Sequence, residues 1–163
     1  MKQLAIIWHS MTGGSESLAQ AAHDGAARVQ GVEVLMLNAA EASPEHILAA
    51  DGYQFVFPEN LAAISGGMKS FFDRCYYPCL GALNGRPYAM IVCAGSDGRN
   101  AVAQAERIAT GWRLRHIAPS VIVCTHAQTK DEILAPKTIE GAHLSAAADL
   151  GEQLATGLQM GIY

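Results

Sequence analysis

The segment His9–Ser17 combines glycines and hydroxyl side chains in a pattern typical of phosphate-binding loops. Positions 10 to 15 hold three hydroxyl side chains and two consecutive glycines. Glycines let backbone N–H groups converge on one point, and a helix after the loop adds its unpaired N-terminal donors and the positive end of its dipole. We therefore predict a phosphate-binding loop. The alternative is an ordinary helix start with Ser15 as its N-cap.

The loop lacks the residues that mark several other phosphate sites. No Lys-Ser/Thr pair follows a G-x-x-x-x-G, which disfavours hydrolysis of nucleoside triphosphates, and the spacing is not the G-x-G-x-x-G of dinucleotide-binding folds. The loop contains no cysteine and therefore no Cys-x5-Arg, which disfavours a cysteine phosphatase built on it. A hydroxyl-rich loop without Lys or Arg favours the terminal phosphate monoester of a bound cofactor.

Two later loops have residues that suit the walls of a binding site. Pro58–Ala62 begins with a proline that fixes the direction of the chain, and its Asn60 brings both a donor and an acceptor. Ala94–Gly98 is rich in small residues, which allow a ligand to approach the backbone closely. For the loop at Ala94–Gly98, the alternative is a simple Asx turn at Asp97.

Short apolar runs alternate along the chain with amphipathic helical patterns. They predict strands at Leu4–Trp8, Val32–Leu37, Tyr53–Phe57, Tyr88–Ala94 and Val121–Cys124, and helices from Leu18 to Gly31, from Ser43, from Ser65 to Tyr77, from Asn100 to Leu114 and from Ala142 to Leu158. Pro58 is expected to stop the third strand, Pro78 to end the third helix and Asn100 to cap the fourth.

This alternation predicts one α/β domain over residues 1–163, a three-layer doubly wound domain with a five-stranded parallel sheet. In such sheets, ligands bind beyond the carboxyl ends of the strands. The loops after the first, third and fourth strands should therefore form the site.

Two segments of the chain resemble motifs of one protein superfamily. Ser10-Met11-Thr12-Gly13-Gly14-Ser15 resembles the S/T-x-T-G-x-T phosphate loop of flavodoxin-like proteins. The segment Pro58–Arg74 is similar to the P-x-x-x-x-x-x-S-G-x-x-K-x-F-x-D motif of the NADPH-dependent FMN reductase and NAD(P)H quinone reductase branch of that superfamily. The motifs occur in the same order, and the strand–helix pattern matches over nearly the whole chain. The resemblance implies a flavodoxin-like fold with strand order 2-1-3-4-5.

The resemblance also implies FMN as the cofactor, with its phosphate in the first loop and its ring between the other two. The implied cofactor-binding residues are Ser10, Met11, Thr12, Gly13, Gly14, Ser15, Pro58, Glu59, Asn60, Leu61, Ala62, Ala94, Gly95, Ser96, Asp97 and Gly98. NADPH or NADH would be the electron donor, and electrons would pass through flavin N5 to a quinone, a flavin or another small acceptor. No side chain is then required as a catalytic acid or base. The resemblance further implies a homodimer.

The main alternative is a flavodoxin-type electron carrier without a substrate of its own; the third is a domain that has lost its cofactor. Carriers of this superfamily are strongly acidic around the flavin and shield its ring with aromatic side chains. Here the second and third loops contain only Glu59 and Asp97 as acids and no aromatic residue, and the formal net charge of the chain is only −4. These features favour the reductase.

Composition argues against other classes. Half of the residues are hydrophobic, no Lys/Arg cluster exceeds the Arg113, Arg115 pair, and no apolar run approaches ~20 residues. We therefore expect no nucleic-acid partner, no membrane segment and no signal peptide. The four cysteines have no C-x-x-C spacing and the six histidines no metal-binding spacing, which favours a reduced, cytoplasmic protein without a metal site. The mild net charge, taken with the family resemblance, favours a small-molecule substrate.

The sequence pattern does not decide the role of two features. His9, beside the first loop, is a candidate functional residue. The 125–141 segment is long for a connection and is a lid, a subunit contact or a solvated excursion.

Overall fold

Most strands of the computed structural model, which describes residues 1–163, form from apolar runs in the sequence. The strands are β1 (Lys2–Trp8), β2 (Val32–Asn38), β3 (Gly52–Asn60), β4 (Ala63–Ile64), β5 (Pro87–Ala94), β6 (Arg115–His116) and β7 (Val121–Cys124). The helices are α1 (Gly14–Ala26), α2 (Pro44–Ala49), α3 (Gly66–Cys79), α4 (Arg99–Gly111), α5 (Lys130–Leu134) and α6 (Gly141–Met160).

The sheet has the strand order β2-β1-β3-β5, and β6 and β7 both pair with the far side of β5. β6 pairs with the start of β5 and β7 with its end, so the two together occupy one strand position that is interrupted between them. If β5 is counted as the fourth strand of the sheet, and β6 with β7 as the fifth, the order is 2-1-3-4-5. All of these pairs are parallel, which confirms the predicted doubly wound sheet. β4 adds a short antiparallel hairpin to the end of β3.

Helices cover both faces of the sheet, and each face has its own core. On one face, Phe55 of the central strand β3 packs among Phe71, Phe72 and Tyr88. On the other, Val56 of the same strand belongs to the core formed with α1 and α6. Since successive residues of a strand point to opposite faces, β3 must be apolar on both sides, as its sequence is.

Pro58 does not stop β3, so the prediction that the strand ends at Phe57 was wrong. The carbonyl of Val56 accepts a hydrogen bond from the His9 N–H (3.0 Å) on the side of β1. Pro58, two residues later, has its missing N–H on that same side, beyond the point where β1 ends at Trp8. The proline therefore removes no ladder hydrogen bond, and the strand continues past it.

Boundaries of three helices also differ from the predictions. Pro78 lies in the last turn of α3, where only one residue of the helix follows it, so it does not end the helix. α4 begins directly after Gly98, which has a left-handed φ of 83°, so Asn100 is inside the helix and is not its cap. α1 begins earlier than its apolar stripe, at Gly14, and ends at Ala26 rather than Gly31.

Three structural features concern membrane segments, disulfides and metal ions. None of the helices has both the length and the apolar character that a membrane crossing requires. All four cysteines are unpaired. No group of three or more His, Cys, Asp or Glu side chains is arranged to hold a metal ion.

Two glycines allow α1 and α6 to cross in backbone contact. A Cβ on Gly25 would lie 2.0 Å from the carbonyl oxygen of Ala148, and a Cβ on Gly151 would lie 2.0 Å from the carbonyl oxygen of Ala22. Both distances are far inside van der Waals contact, so any larger residue must force the helices apart. Because α1 starts at the first loop, this crossing fixes where that loop lies.

We expect Gly151→Ala to destabilise the protein by about 2 kcal/mol, because the overlap outweighs the helix propensity that alanine gains. The measurement is urea unfolding followed by circular dichroism. Gly141→Ala is the matched control on the same helix, since no heavy atom lies within 4 Å of a Cβ there. Equal stability of the two variants would contradict the proposed close crossing.

Gln54 is a second source of a stability prediction. Its side chain is fully buried in β3, and neither its Nε2 nor its Oε1 has a hydrogen-bond partner. A buried polar group without a partner costs about 1–3 kcal/mol, so Gln54→Met should raise the free energy of unfolding by an amount in that range. The exposed Gln159→Met, on α6, should change it little. A loss of stability in Gln54→Met would mean that the amide is satisfied in solution.

Candidate functional site

The three predicted loops meet at the carboxyl end of the parallel sheet, around one open cleft. The predicted residues that line this cleft are Ser10, Met11, Thr12, Gly14, Ser15, Pro58, Glu59, Asn60, Ala94 and Gly95. The predicted residues that do not line it are Gly13, Leu61, Ala62, Ser96, Asp97 and Gly98. The structure thus brings together residues from all three loops.

The first loop turns sharply into α1. Gly13 has a left-handed φ of 95°, and its N–H donates to the Ser10 Oγ (2.9 Å), which closes the turn. Gly14 follows in a crowded place, because a Cβ there would lie 2.9 Å from the Sγ of Cys93. Gly13 precedes the first helical residue, so the alternative that Ser15 is the helix cap was wrong.

The start of α1 presents several hydrogen-bond donors that have no acceptor. The first intrahelical hydrogen bond runs from the Ser17 N–H to the Gly13 carbonyl (3.0 Å), so the N–H groups of residues 14 to 16 have no partner within the helix. The Ser15 Oγ is also buried and makes no hydrogen bond, although the Cys93 thiol lies beside it. Buried donors of this kind fit an anionic group, such as the phosphate of FMN.

The second loop is a tight hairpin between β3 and β4. Leu61 and Ala62 form its turn with left-handed φ values of 50° and 59°, a conformation that normally selects glycine or asparagine. Two side chains of α4 hold this turn: the Asn100 amide donates to the Ala62 carbonyl, and the Gln104 Oε1 accepts from the Ile64 N–H (2.9 Å). The side chain of Leu61 is completely exposed.

The second and third loops are joined by one charged hydrogen bond. The carboxylate of Glu59 accepts from the Gly98 N–H (2.7 Å), so the only acid that lines the cleft is occupied by the protein itself. Asp97 forms an ion pair with the exposed Arg99 and does not face the cleft.

His9 lies behind the cleft. Its Nδ1 is hydrogen-bonded to the buried Ser65 Oγ (2.8 Å), and a Cβ on Gly67 would lie 2.6 Å from its Nε2. Burial lowers the pKa of His9 below its usual value, so the ring is neutral at pH 7. The geometry gives His9 a structural role, that of holding the first loop against the start of α3.

The 125–141 segment forms a further wall that the sequence did not assign to the site. It contributes the cleft residues Thr125, Ala127, Ile133, Leu134 and Lys137. The Lys137 N–H donates to the Thr12 carbonyl (2.8 Å), which ties the segment to the first loop. The length of the segment was the only signal in the sequence, and length does not say where a loop packs.

Cys93 completes the lining beneath the first loop. Burial raises the pKa of its thiol to about 11, so the thiol is neutral at pH 7 and packs as a small apolar group. No aromatic side chain lines the cleft, and its charged residues are Glu59 and Lys137.

Comparison with known families gives one match over more than half of the chain. Residues 36–129 match the model of the NADPH-dependent FMN reductase family. A flavodoxin from Aquifex aeolicus is 32% identical over 108 residues, which are 63% of this chain. The match spans 56% of the length of that flavodoxin.

Solved structures share the fold over nearly the full chain. A flavodoxin from the domain Archaea superposes with a TM-score of 0.76 at 14% identity, covering 96% of this chain and 99% of that protein. A flavodoxin, WrbA-like protein from Agrobacterium tumefaciens superposes with a TM-score of 0.75 at 14% identity, covering 98% and 99%. These likenesses show the flavodoxin-like fold.

The two serines at the start of α1 allow a paired test of the site. Ser15→Ala removes a buried, unpartnered hydroxyl, so the ligand-free protein should be as stable as the wild type or slightly more stable. Its affinity for FMN should fall about tenfold, because one hydrogen bond to a charged phosphate is lost. Thermal unfolding and fluorescence titration with FMN measure the two effects.

Ser17→Ala is the control, and it should show the opposite pattern. Its Oγ donates to the Gly13 carbonyl (3.0 Å) and does not line the cleft, so stability should fall slightly while FMN affinity stays the same. The assignment fails if Ser15→Ala binds FMN as tightly as the wild type.

Proposed function

Because the chain belongs to the NADPH-dependent FMN reductase family, we propose that it binds FMN in the cleft and uses NADPH or NADH to reduce a small acceptor such as a quinone or a flavin. The observation that carries this proposal is the start of α1, where the N–H groups of residues 14 to 16 and the buried Ser15 Oγ all lack a hydrogen-bond partner. When bound, FMN supplies the redox chemistry, and the protein supplies position, electrostatics and exclusion of water.

The first loop would bind the phosphate mainly with neutral donors. The unpaired N–H groups at residues 14 to 16 provide the backbone part, and Ser15 and Thr12 provide hydroxyls. The Ser10 Oγ accepts from the Gly13 N–H, so its own hydroxyl proton is still free to be donated. Several such hydrogen bonds to a charged group are worth about 1.5–3 kcal/mol each.

The second and third loops would hold the flavin ring. Pro58, Ala94 and Gly95 present small surfaces at the ends of the central strands, which lets a planar ring approach the backbone. The Glu59–Gly98 hydrogen bond and the contact of Asn100 with the hairpin keep these two walls in place before any ligand arrives. A preformed site loses less conformational entropy on binding.

An electron carrier is the second candidate, since the Aquifex aeolicus relative is a flavodoxin. Two observations favour the reductase. No aromatic side chain lines the cleft to cover a ring, which leaves space for a nicotinamide or acceptor ring. Glu59 is the only acid that lines the cleft, and its carboxylate is held by the Gly98 N–H, so the cleft offers little acidic surface for docking a basic partner protein.

A reduction experiment without oxygen tests this proposal. The protein is loaded with FMN, and its visible spectrum is recorded before and after addition of NADPH or NADH. We expect the flavin absorbance to bleach and to return when a soluble quinone is added. Bleaching by dithionite but by neither nicotinamide would instead indicate the carrier, and failure to bind FMN would exclude both functions.

A pair of variants links the result to the first loop. Gly14→Ala places a Cβ 2.9 Å from the Sγ of Cys93, so FMN binding and bleaching should fall together. Adding Cys93→Ala to this variant makes room for the new methyl group and should restore part of both. Bleaching that is unaffected by Gly14→Ala would place the flavin elsewhere.

A further inference from the structure

One basic residue of the cleft belongs to a part of the chain that is distant in sequence from the first loop. The first loop contains no Lys or Arg, and Lys137 is the only basic residue among those that line the cleft. Its N–H donates to the Thr12 carbonyl (2.8 Å), and its Cβ would lie 3.5 Å from a Cβ on Gly14. Lys137 is therefore packed directly against the predicted phosphate loop.

The ammonium group of Lys137 is held in place but not neutralised. It donates to the carbonyls of Glu132 (2.8 Å), Ile133 (2.8 Å) and Ala135 (2.6 Å), at the end of α5. These contacts use all three of its protons. No carboxylate lies within 4.0 Å of it, so it is absent from the ion pairs of the structure.

The charge of Lys137 is felt at the base of the first loop: burial raises the pKa of the Cys93 thiol, and the positive charge of Lys137 opposes that rise. A phosphate monoester carries close to two negative charges at pH 7, and the nearest acid in the cleft, Glu59, adds a like charge. The side chain of Lys137 is only partly exposed, so its field is screened less than that of a fully exposed lysine.

We propose that Lys137 is the cationic member of the phosphate site and that it strengthens binding of the phosphate monoester of a flavin nucleotide. The inference rests on the proposed function, because it takes the cleft to be the FMN site. Its charge acts from the carbonyl cage at the end of α5, and its N–H keeps the 125–141 segment against the first loop. The same residue thus makes the cleft prefer a phosphorylated flavin to riboflavin.

The test compares FMN with riboflavin, which lacks the phosphate. Dissociation constants are measured by fluorescence titration for the wild type, Lys137→Met and Lys137→Arg, at low and high NaCl. We expect Lys137→Met to weaken FMN binding about tenfold at low salt and to leave riboflavin binding unchanged. High salt should reduce this difference, and Lys137→Arg should retain most of the affinity.

The matched control is Lys130→Met. Lys130 is the first residue of α5, is exposed and does not line the cleft, so its loss changes net charge equally and should leave both affinities unchanged. Equal loss of FMN and riboflavin binding in Lys137→Met would overturn the proposal, since the residue would then only support a wall. A changed preference between NADPH and NADH with unchanged FMN affinity would also overturn it.

A second measurement separates this inference from the proposed function. Inorganic phosphate should raise the unfolding temperature of the ligand-free wild type more than that of Lys137→Met, at matched ionic strength. If the wild type bound neither flavin, the proposed function would fail, and this phosphate comparison would still decide the role of Lys137. Equal stabilisation of the two proteins by phosphate would refute it.

Discussion

The position of the first loop depends on how closely α1 packs against α6. Gly25 and Gly151 lie where each helix meets the backbone of the other, and no side chain fits between them. α1 in turn begins at Gly14, so a displacement of the helix would move every donor at its start. The chemistry of the cleft therefore depends on a contact between helices that does not reach the cleft itself.

Neutral donors and a single cation give the cleft its electrostatic character. Glu59 and Asp97 are both occupied within the protein, by the Gly98 N–H and by Arg99. Lys137 is restrained only by carbonyl dipoles, which fix its position without cancelling its charge. A site of this kind favours a ligand with an anionic group at one end and an uncharged, planar group at the other. That division suits a flavin nucleotide, whose phosphate and ring differ in the same way.

Much of this arrangement could be predicted from local sequence. Apolar runs located the strands of the sheet, and the strand–loop–helix order placed three loops at one edge. The errors arose where another residue decides the outcome: Pro58 is tolerated because β1 has already ended, and Asn100 is not a cap because α4 begins directly after Gly98. Lys137 could not be found from pattern, because its hydrogen bond to Thr12 joins residues that are far apart in sequence.

The hairpin after β3 illustrates why such long-range contacts matter at the site. Leu61 and Ala62 both adopt left-handed backbone conformations, which cost about 1–2 kcal/mol for each residue that has a Cβ. The local sequence offers no glycine to relieve this strain, so the turn is stable only because Asn100 and Gln104 hold it from α4. The wall at the second loop is thus set by α4 and the wall at the first loop by α6. The sheet brings the loops together, and these two helices hold them there, α4 by direct contact and α6 through its packing against α1.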